Sequence, residues 1–154
     1  MNLLHALCRS VATFFGAGYL PKAPGTAGSF AALPLYLLMR RLPLKSYLVA
    51  TAGVFAAGAL CSEWMERQLG KDPQQVVIDE VTGVLVALLA RPRGMREILL
   101  GVLLFRIFDI TKPPPVGAME TLPGGIGIMM DDVVAGALSA AALAVILKLL
   151  RRRS

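Results

Sequence analysis

A run of seventeen uncharged residues before a polar and aromatic boundary constrains the fold of this chain more than any other feature. Residues 46–62 contain no charged side chain and are followed by Glu63 and Trp64. An apolar helix needs about 20 residues to cross the hydrocarbon core of a bilayer, and polar and aromatic residues are typical of its ends. We therefore predict a membrane-spanning helix in this part of the chain.

The overall composition agrees with a membrane protein. Of the 154 residues, 56% are hydrophobic and 17% are charged, with a mean hydropathy of +0.65. Soluble domains usually carry about 25% charged residues. The length suits one domain, and we find no internal repeat or linker, so we expect a single membrane-embedded domain over residues 1–154.

The remaining apolar segments are short. Residues 3–15 have helical spacing and predict an amphipathic first helix that lies at the interface. Residues 30–39 are bounded by arginines and would cover only about 15 Å, which favours a re-entrant or tilted helix. Further helices are predicted over residues 76–90 and 98–110.

A final helix is predicted to begin near Asp131 or Asp132 and to run to about Leu147. Its small residues, Gly136 among them, would allow close contact with another helix. The predicted fold class is therefore all-α: a small polytopic membrane helical bundle with an amphipathic N-terminal helix and short or re-entrant segments.

The net charge of +6 does not indicate nucleic acid as a partner. The basic residues form short clusters beside apolar runs, which is typical of membrane-flanking loops and anionic lipid. No basic stripe with interleaved aromatic residues is present. Cys8 and Cys61 are interpreted as two buried thiols, without a disulfide framework. His5, the sole histidine, is distant in sequence from every acid, and we reject it as a nucleophile.

Residues 105–136 place a group of charges in an otherwise apolar or Gly/Pro-rich sequence. One arginine, one lysine and four carboxylates occur there. Charged groups in or beside hydrocarbon are costly unless they pair, bind an ion or line a wet cavity, so this cluster is a functional-site hypothesis.

Connectivity predicts which loops meet. If the apolar segments reverse direction in turn, residues 21–29, 71–80 and 109–132 lie at one face of the bundle. The basic clusters at residues 40–45, 91–96 and 151–153 then lie at the other face. The acids and the glycine-rich loops would thus share one end of the molecule.

Three separated motifs carry a resemblance to a known family. They are GAGYLPKAPGTAGS (16–29), VVIDEVTG (76–83) and the pair FRIFDITKPPP (105–115) and LPGGIGIMMDDVVAG (122–136). The chain resembles phosphatidylglycerophosphatase A, a family of small bacterial membrane phosphatases. The resemblance implies Mg²⁺-dependent hydrolysis of phosphatidylglycerol phosphate to phosphatidylglycerol and inorganic phosphate, in the phospholipid biosynthesis of the cytoplasmic membrane.

The acidic residues can be interpreted independently of that resemblance. Mg²⁺ requires hard oxygen ligands, which Asp79, Glu80, Asp109, Asp131 and Asp132 can supply. A divalent ion also removes the repulsion among gathered carboxylates. The alternatives are helix capping for Asp131 or Asp132, and a helix start or salt bridge for Asp79 and Glu80.

Arg106, Asp109 and Lys112 recur every three residues and would share a helix face. They form either a structural ladder of ion pairs or a site in which Asp109 binds metal and a cation contacts phosphate. We prefer Lys112 for that contact, because Arg106 can simply pair with Asp109. The three prolines that follow Lys112 should end the helix and hold the chain extended.

Two glycine-rich loops can present backbone N–H groups to an anion. The first contains Lys22 and Thr26, and the second contains Gly124 and Gly125. Neither has the GK[ST] sequence of a nucleotide-binding loop, and turn formation alone would also explain them. Glu120 is either a general acid/base, a ligand or a solvated loop carboxylate.

The mechanism that these residues favour is metal-assisted hydrolysis of a phosphomonoester. Asp79, Asp109, Asp131 and Asp132 would bind Mg²⁺, and Glu80 or Glu120 would act as base. The substrate phosphate would be bound by side chains and backbone groups at Lys22, Thr26, Arg106, Lys112, Gly124 and Gly125.

Two other classes are retained as alternatives: a non-enzymatic channel or transporter subunit, and a CDP-alcohol phosphotransferase-like enzyme. The latter's D-G-x-x-A-R arrangement is not present. The oligomeric state and the side of the membrane on which the acidic face lies are left open.

Overall fold

The computed structural model describes residues 3–152, which fold as an all-α bundle without strands in that range. The all-α prediction is therefore confirmed. The helices are α1 (Leu3–Ala12), α2 (Pro24–Met39), α3 (Leu44–Leu69), α4 (Ile78–Ala87), α5 (Met95–Thr111), α6 (Val116–Met119) and α7 (Gly124–Arg152), with 3₁₀ turns at Ala17–Tyr19 and Leu88–Ala90.

Two of these helices, α3 and α7, are long and apolar enough to cross a membrane. The uncharged residues 46–62 lie inside α3, which extends beyond them in both directions. α7 is the longest element, with 29 residues. Length and apolarity together make these two helices the candidate membrane spans of the bundle.

The start of α7 differs from the sequence-based prediction. The helix begins at Gly124, two turns before the expected aspartates, and Gly124 itself has a left-handed φ of 64°. The carboxylate of Glu63 on α3 accepts a hydrogen bond from the Gly125 N–H at 2.8 Å and so satisfies one of the free groups at the helix start. Capping by Asp131 or Asp132 is therefore wrong, since both lie inside the helix.

The helix ends also depart from expectation at two other points. α1 stops at Ala12, and Phe14 and Phe15 have positive φ values outside it. α5 ends at Thr111, and Lys112 adopts a left-handed conformation. The prolines after Lys112 form a turn that leads into α6, so the expected extended segment is not formed.

The short helix α4 lies at the centre of the bundle. Val81, Val84 and Leu85 are fully buried. Gly136 of α7 packs directly on the backbone of Gly83, where an added Cβ would overlap the Gly83 carbonyl oxygen. This close approach brings the first turn of α4 beside the second and third turns of α7.

The basic clusters meet at the opposite end of the bundle. Arg40 donates to the carbonyl oxygen of Pro92 at 3.2 Å, and Arg91 donates to that of Arg40 at 3.0 Å. Arg151 pairs with Glu97 at 3.0 Å. These contacts agree with the predicted alternation of helix directions; Arg153 lies outside the described residues.

Candidate functional site

An acidic cleft of about 1030 Å³ opens at the end of the bundle away from the basic clusters. We use the name acidic cleft for the space between α4, α5 and α7. Most of its charged lining comes from α4, α5, α7 and the loop after α6: Asp79, Glu80, Arg106, Asp109, Lys112, Glu120, Asp131 and Asp132. The end of α3 and the loop after it add Glu66, Lys71 and Asp72.

Three of these carboxylates form a compact group. Asp79, Glu80 and Asp132 each offer one oxygen, and the three oxygens lie within 4.8 Å of one another. Asp132 is 3% exposed. A cluster of carboxylate oxygens at this spacing suits a hard divalent cation, so the group can hold a metal ion.

The unmet hydrogen-bonding capacity of Glu80 supports a cation at this point. Its Oε2 atom is buried and has no hydrogen-bond partner in residues 3–152. The nearest counter-charge is Arg106, at 3.8 Å from the other carboxylate oxygen. Unpaired buried carboxylate oxygens are costly, and a bound cation would remove that cost.

The other two aspartates are neutralised by side chains of the protein. Arg106 donates a hydrogen bond to Asp109 at 2.5 Å, within the last turns of α5. Lys112 donates to Asp131 at 2.9 Å and also to Glu120. Arg106 and Lys112 therefore each pair with a carboxylate and also line the cleft.

The electrostatics of Lys112 follow from these contacts. Partial burial opposes its positive charge, but the hydrogen bonds to Glu120 and Asp131 outweigh that effect and raise the pKa of the ammonium group. Lys112 is therefore a fixed positive charge at neutral pH, held at the cleft by its hydrogen bonds to Glu120 and Asp131.

The structure groups the acidic residues differently from the sequence-based prediction of the metal ligands. All four expected metal-binding residues line the cleft, but the compact group contains Glu80 in place of Asp109 and Asp131. Asp109 and Asp131 have salt-bridge partners, whereas Asp79 and Asp132 have none among the described residues. Asp109 nevertheless lies beside Asp132.

The glycine-rich loops contribute less than expected. Gly124 lines the cleft, but the N–H of Gly125 is occupied by Glu63. Lys22 is exposed, and neither it nor Thr26 belongs to the lining of the cleft. The structure therefore does not bring these two residues into the lining of the cleft.

Two residues near the cleft carry roles that sequence reasoning missed. Gly25 packs so closely on Glu80 that an added Cβ would overlap the carboxylate oxygen, so only glycine fits there without displacing Glu80. Glu63 supports the start of α7 from the neighbouring helix. A lone glutamate at the end of an apolar run gives no sequence signal for that role.

The fold and the cleft define a helical bundle with membrane-length helices and a metal-type carboxylate site at one end. The family model of phosphatidylglycerophosphatase A matches residues 10–147 of the chain. The chain belongs to this family and is a phosphatase.

Curated relatives agree with this assignment. Phosphatidylglycerophosphatase A of Escherichia coli is 38% identical over 136 residues, which cover 86% of this chain and 79% of the relative. Phosphatidylglycerophosphatase A of Haemophilus influenzae is 39% identical over 139 residues, covering 88% and 83%.

A third relative carries a different name. A protein of Bacteroides thetaiotaomicron, provisionally named phosphatidylinositol-3-phosphatase, is 43% identical over 151 residues, covering 88% of this chain and 90% of its own length. The names of the relatives thus share a phosphate on a lipid headgroup but differ in the headgroup. No solved structure matches the chain.

Proposed function

We propose that the protein is a Mg²⁺-dependent lipid phosphatase that hydrolyses phosphatidylglycerol phosphate to phosphatidylglycerol and inorganic phosphate, as a step of phospholipid biosynthesis in the bacterial cytoplasmic membrane. The observation that carries the proposal is the compact carboxylate group of Asp79, Glu80 and Asp132, which shares the cleft with the positive side chains of Arg106 and Lys112. Family membership supports the choice of substrate.

In this proposal some of the carboxylates bind the metal ion, and another orients Lys112. Asp79, Glu80 and Asp132 would hold Mg²⁺, with Asp109 beside them as a further oxygen donor. A bound Mg²⁺ supplies polarisation of the phosphoryl oxygens and lowers the pKa of a coordinated water. Asp131 has a different role in this proposal, because its hydrogen bond orients Lys112 toward the cleft.

The phosphate contacts are assigned to Lys112 and Arg106. Both line the cleft, and the Nε atom of Arg106 is buried without a hydrogen-bond partner in the described chain. These groups would stabilise the negative charge on the phosphoryl oxygens, which is the main electrostatic requirement of phosphoryl transfer. Gly124 also lines the cleft and can add a backbone contact to the phosphate. Gly125, Lys22 and Thr26 are not assigned to phosphate binding, because they do not line the cleft.

Glu120 is our candidate for the general base. Its side chain is 50% exposed and contacts Lys112, so the carboxylate is open to water. Once a substrate phosphate pairs with Lys112, the Glu120 carboxylate would be free to accept a proton from the attacking water. With Glu80 committed to the metal group, Glu120 is the better placed of the two expected bases.

The decisive experiment uses the purified full-length protein in detergent. Phosphate release from phosphatidylglycerol phosphate is measured with Mg²⁺, after addition of a chelator, and after Mg²⁺ is restored. We expect activity that is lost with the chelator and recovered with the metal. Release that is insensitive to the chelator would contradict the metal-dependent mechanism.

The same assay separates the two headgroups named among the relatives. Phosphatidylglycerol phosphate and phosphatidylinositol 3-phosphate are supplied at equal surface density in mixed micelles, and kcat/KM is compared. We expect a clear preference for phosphatidylglycerol phosphate. Preference for the inositol lipid would retain the phosphatase assignment and overturn the proposed substrate.

A further inference from the structure

Cys8 and Cys61 form a pair of thiols outside the acidic cleft. Cys8 is half-buried on α1, and Cys61 is 8% exposed in the hydrophobic core on α3. Cys8 is among the groups that surround the Cys61 thiol. Two cysteines in separate apolar segments predict two buried thiols, and it is the packing of α1 on α3 that brings them together.

A neighbouring contact establishes the register of these helices independently. The rings of His5 and Trp64 lie with their centroids 5.0 Å apart. His5 precedes Cys8 by three residues, and Trp64 follows Cys61 by three residues. In this antiparallel pair of helices the register places Cys8 opposite Cys61, about one turn from the ring contact.

This interface is connected to the start of the acidic helix. The carbonyl oxygen of Ala12, the last residue of α1, accepts a hydrogen bond from the N–H of Val77 at 2.9 Å. Val77 directly precedes α4, whose first turn carries Asp79 and Glu80. Fixing α1 against α3 would therefore also support the segment that positions the carboxylates.

We propose that Cys8 and Cys61 form a reversible intramolecular disulfide that ties α1 to α3. The oxidant is a small soluble disulfide. The thiolate of Cys8, the more exposed residue, attacks one of its sulfurs, forms a mixed disulfide and releases one thiol. Cys61 then attacks the Cys8 sulfur and releases the second thiol, so that one disulfide is reduced for each one formed and the two cysteine protons end on the released thiols.

The bridge would close a loop of about fifty residues and so restrict the unfolded chain. We expect the oxidised protein to unfold at a temperature several degrees higher than the reduced protein. Phosphatase activity should also survive a heat treatment that inactivates the reduced form, because α1 stays in place beside the start of α4.

The test treats the full-length protein in detergent with oxidised glutathione and measures its intact mass, its disulfide-linked peptides and its unfolding temperature. We expect a monomer that has lost two hydrogens, carries no glutathione and contains a Cys8–Cys61 peptide link. A reductant should restore the original mass and unfolding temperature.

A matched variant moves one thiol by a single position. Leu60 is 74% exposed, so Leu60→Cys combined with Cys61→Ser keeps two cysteines but points one away from α1. This variant should acquire glutathione adducts in place of an internal bridge. If it does not show a cooperative unfolding transition, Cys61→Ala serves instead and should carry one adduct, on Cys8.

Glutathione adducts on both cysteines of the unmodified sequence, or disulfides only between molecules, would overturn the proposal. An internal bridge that leaves the unfolding temperature unchanged would also overturn it, because α1 and α3 would then not be held by the link.

Discussion

Asp132 combines more features of a metal ligand than any other side chain of the cleft. It is buried, it lies within the compact carboxylate group, and it has no salt-bridge partner in residues 3–152. Asp131, the adjacent residue, points its charge at Lys112 instead. Two consecutive aspartates on one helix thus face different partners, because successive residues of an α-helix are about 100° apart around its axis.

Asp132→Asn should lower kcat by about 100-fold or more, because the neutral amide is a much weaker ligand for Mg²⁺ than the carboxylate. Asp131→Asn should lower kcat/KM by no more than removal of Lys112 itself, about 10- to 100-fold, because its role is to orient Lys112. Phosphate release and the thermal unfolding transition are measured together. Glu97→Gln, which removes a carboxylate at the basic end, is the control and should keep full activity. Full activity in both aspartate variants would remove them from the site.

Lys112→Met should mainly weaken binding of the substrate phosphate. Hydrogen bonds to charged groups contribute about 1.5–3 kcal/mol, so kcat/KM should fall roughly 10- to 100-fold. Inorganic phosphate, as a product inhibitor, should lose affinity in parallel. Lys22→Met is the matched control, since Lys22 lies outside the cleft lining. Equal losses in the two variants would contradict the assignment of phosphate binding to Lys112.

Helices α4 and α7 approach each other closely at a pair of glycines. Gly83 and Gly136 face each other at this crossing, and Gly136 also lies against Val86. Small residues allow helix backbones to approach in this way. The crossing lies one turn beyond Asp79 and Asp132, so the spacing between these two carboxylates depends on it.

Gly136→Ala should destabilise the protein by about 1–3 kcal/mol, because the added methyl group overlaps the Gly83 carbonyl. The shift is measured by thermal unfolding in detergent. Gly53→Ala on α3 is the matched control: that position is open, so the substitution should be neutral or stabilising by about 0.5–1 kcal/mol. If the two variants were equally stable, α4 and α7 could move apart at Gly136 without loss of stability, which would contradict the prediction.

Across the whole molecule, charge is divided between two ends. The acidic cleft occupies one end, and the contacts among Arg40, Arg91, Pro92 and Leu42 bring the basic clusters together at the other. α3 and α7 connect these ends and have the length of membrane spans. The arrangement therefore places the cleft and the basic clusters on opposite sides of any bilayer that the two helices cross.

This arrangement can be tested by labelling. Lys71→Cys at the rim of the cleft and Arg152→Cys at the basic end are introduced separately, after both native cysteines are replaced by alanine. A membrane-impermeant maleimide should reach the two positions from opposite sides of sealed vesicles, and the positive-inside rule predicts the cytoplasmic side for Arg152. Labelling of both from the same side would contradict a crossing by α7.

The sequence alone determined the all-α class, the main helices and the set of acidic residues, because apolar periodicity and the cost of charges beside hydrocarbon are local properties of the chain. It did not locate the start of α7, which depends on Glu63 from α3. It also did not distinguish the carboxylates that gather as a metal-type group from those paired with Arg106 and Lys112. That division depends on distances between α4, α5 and α7, which only tertiary packing determines.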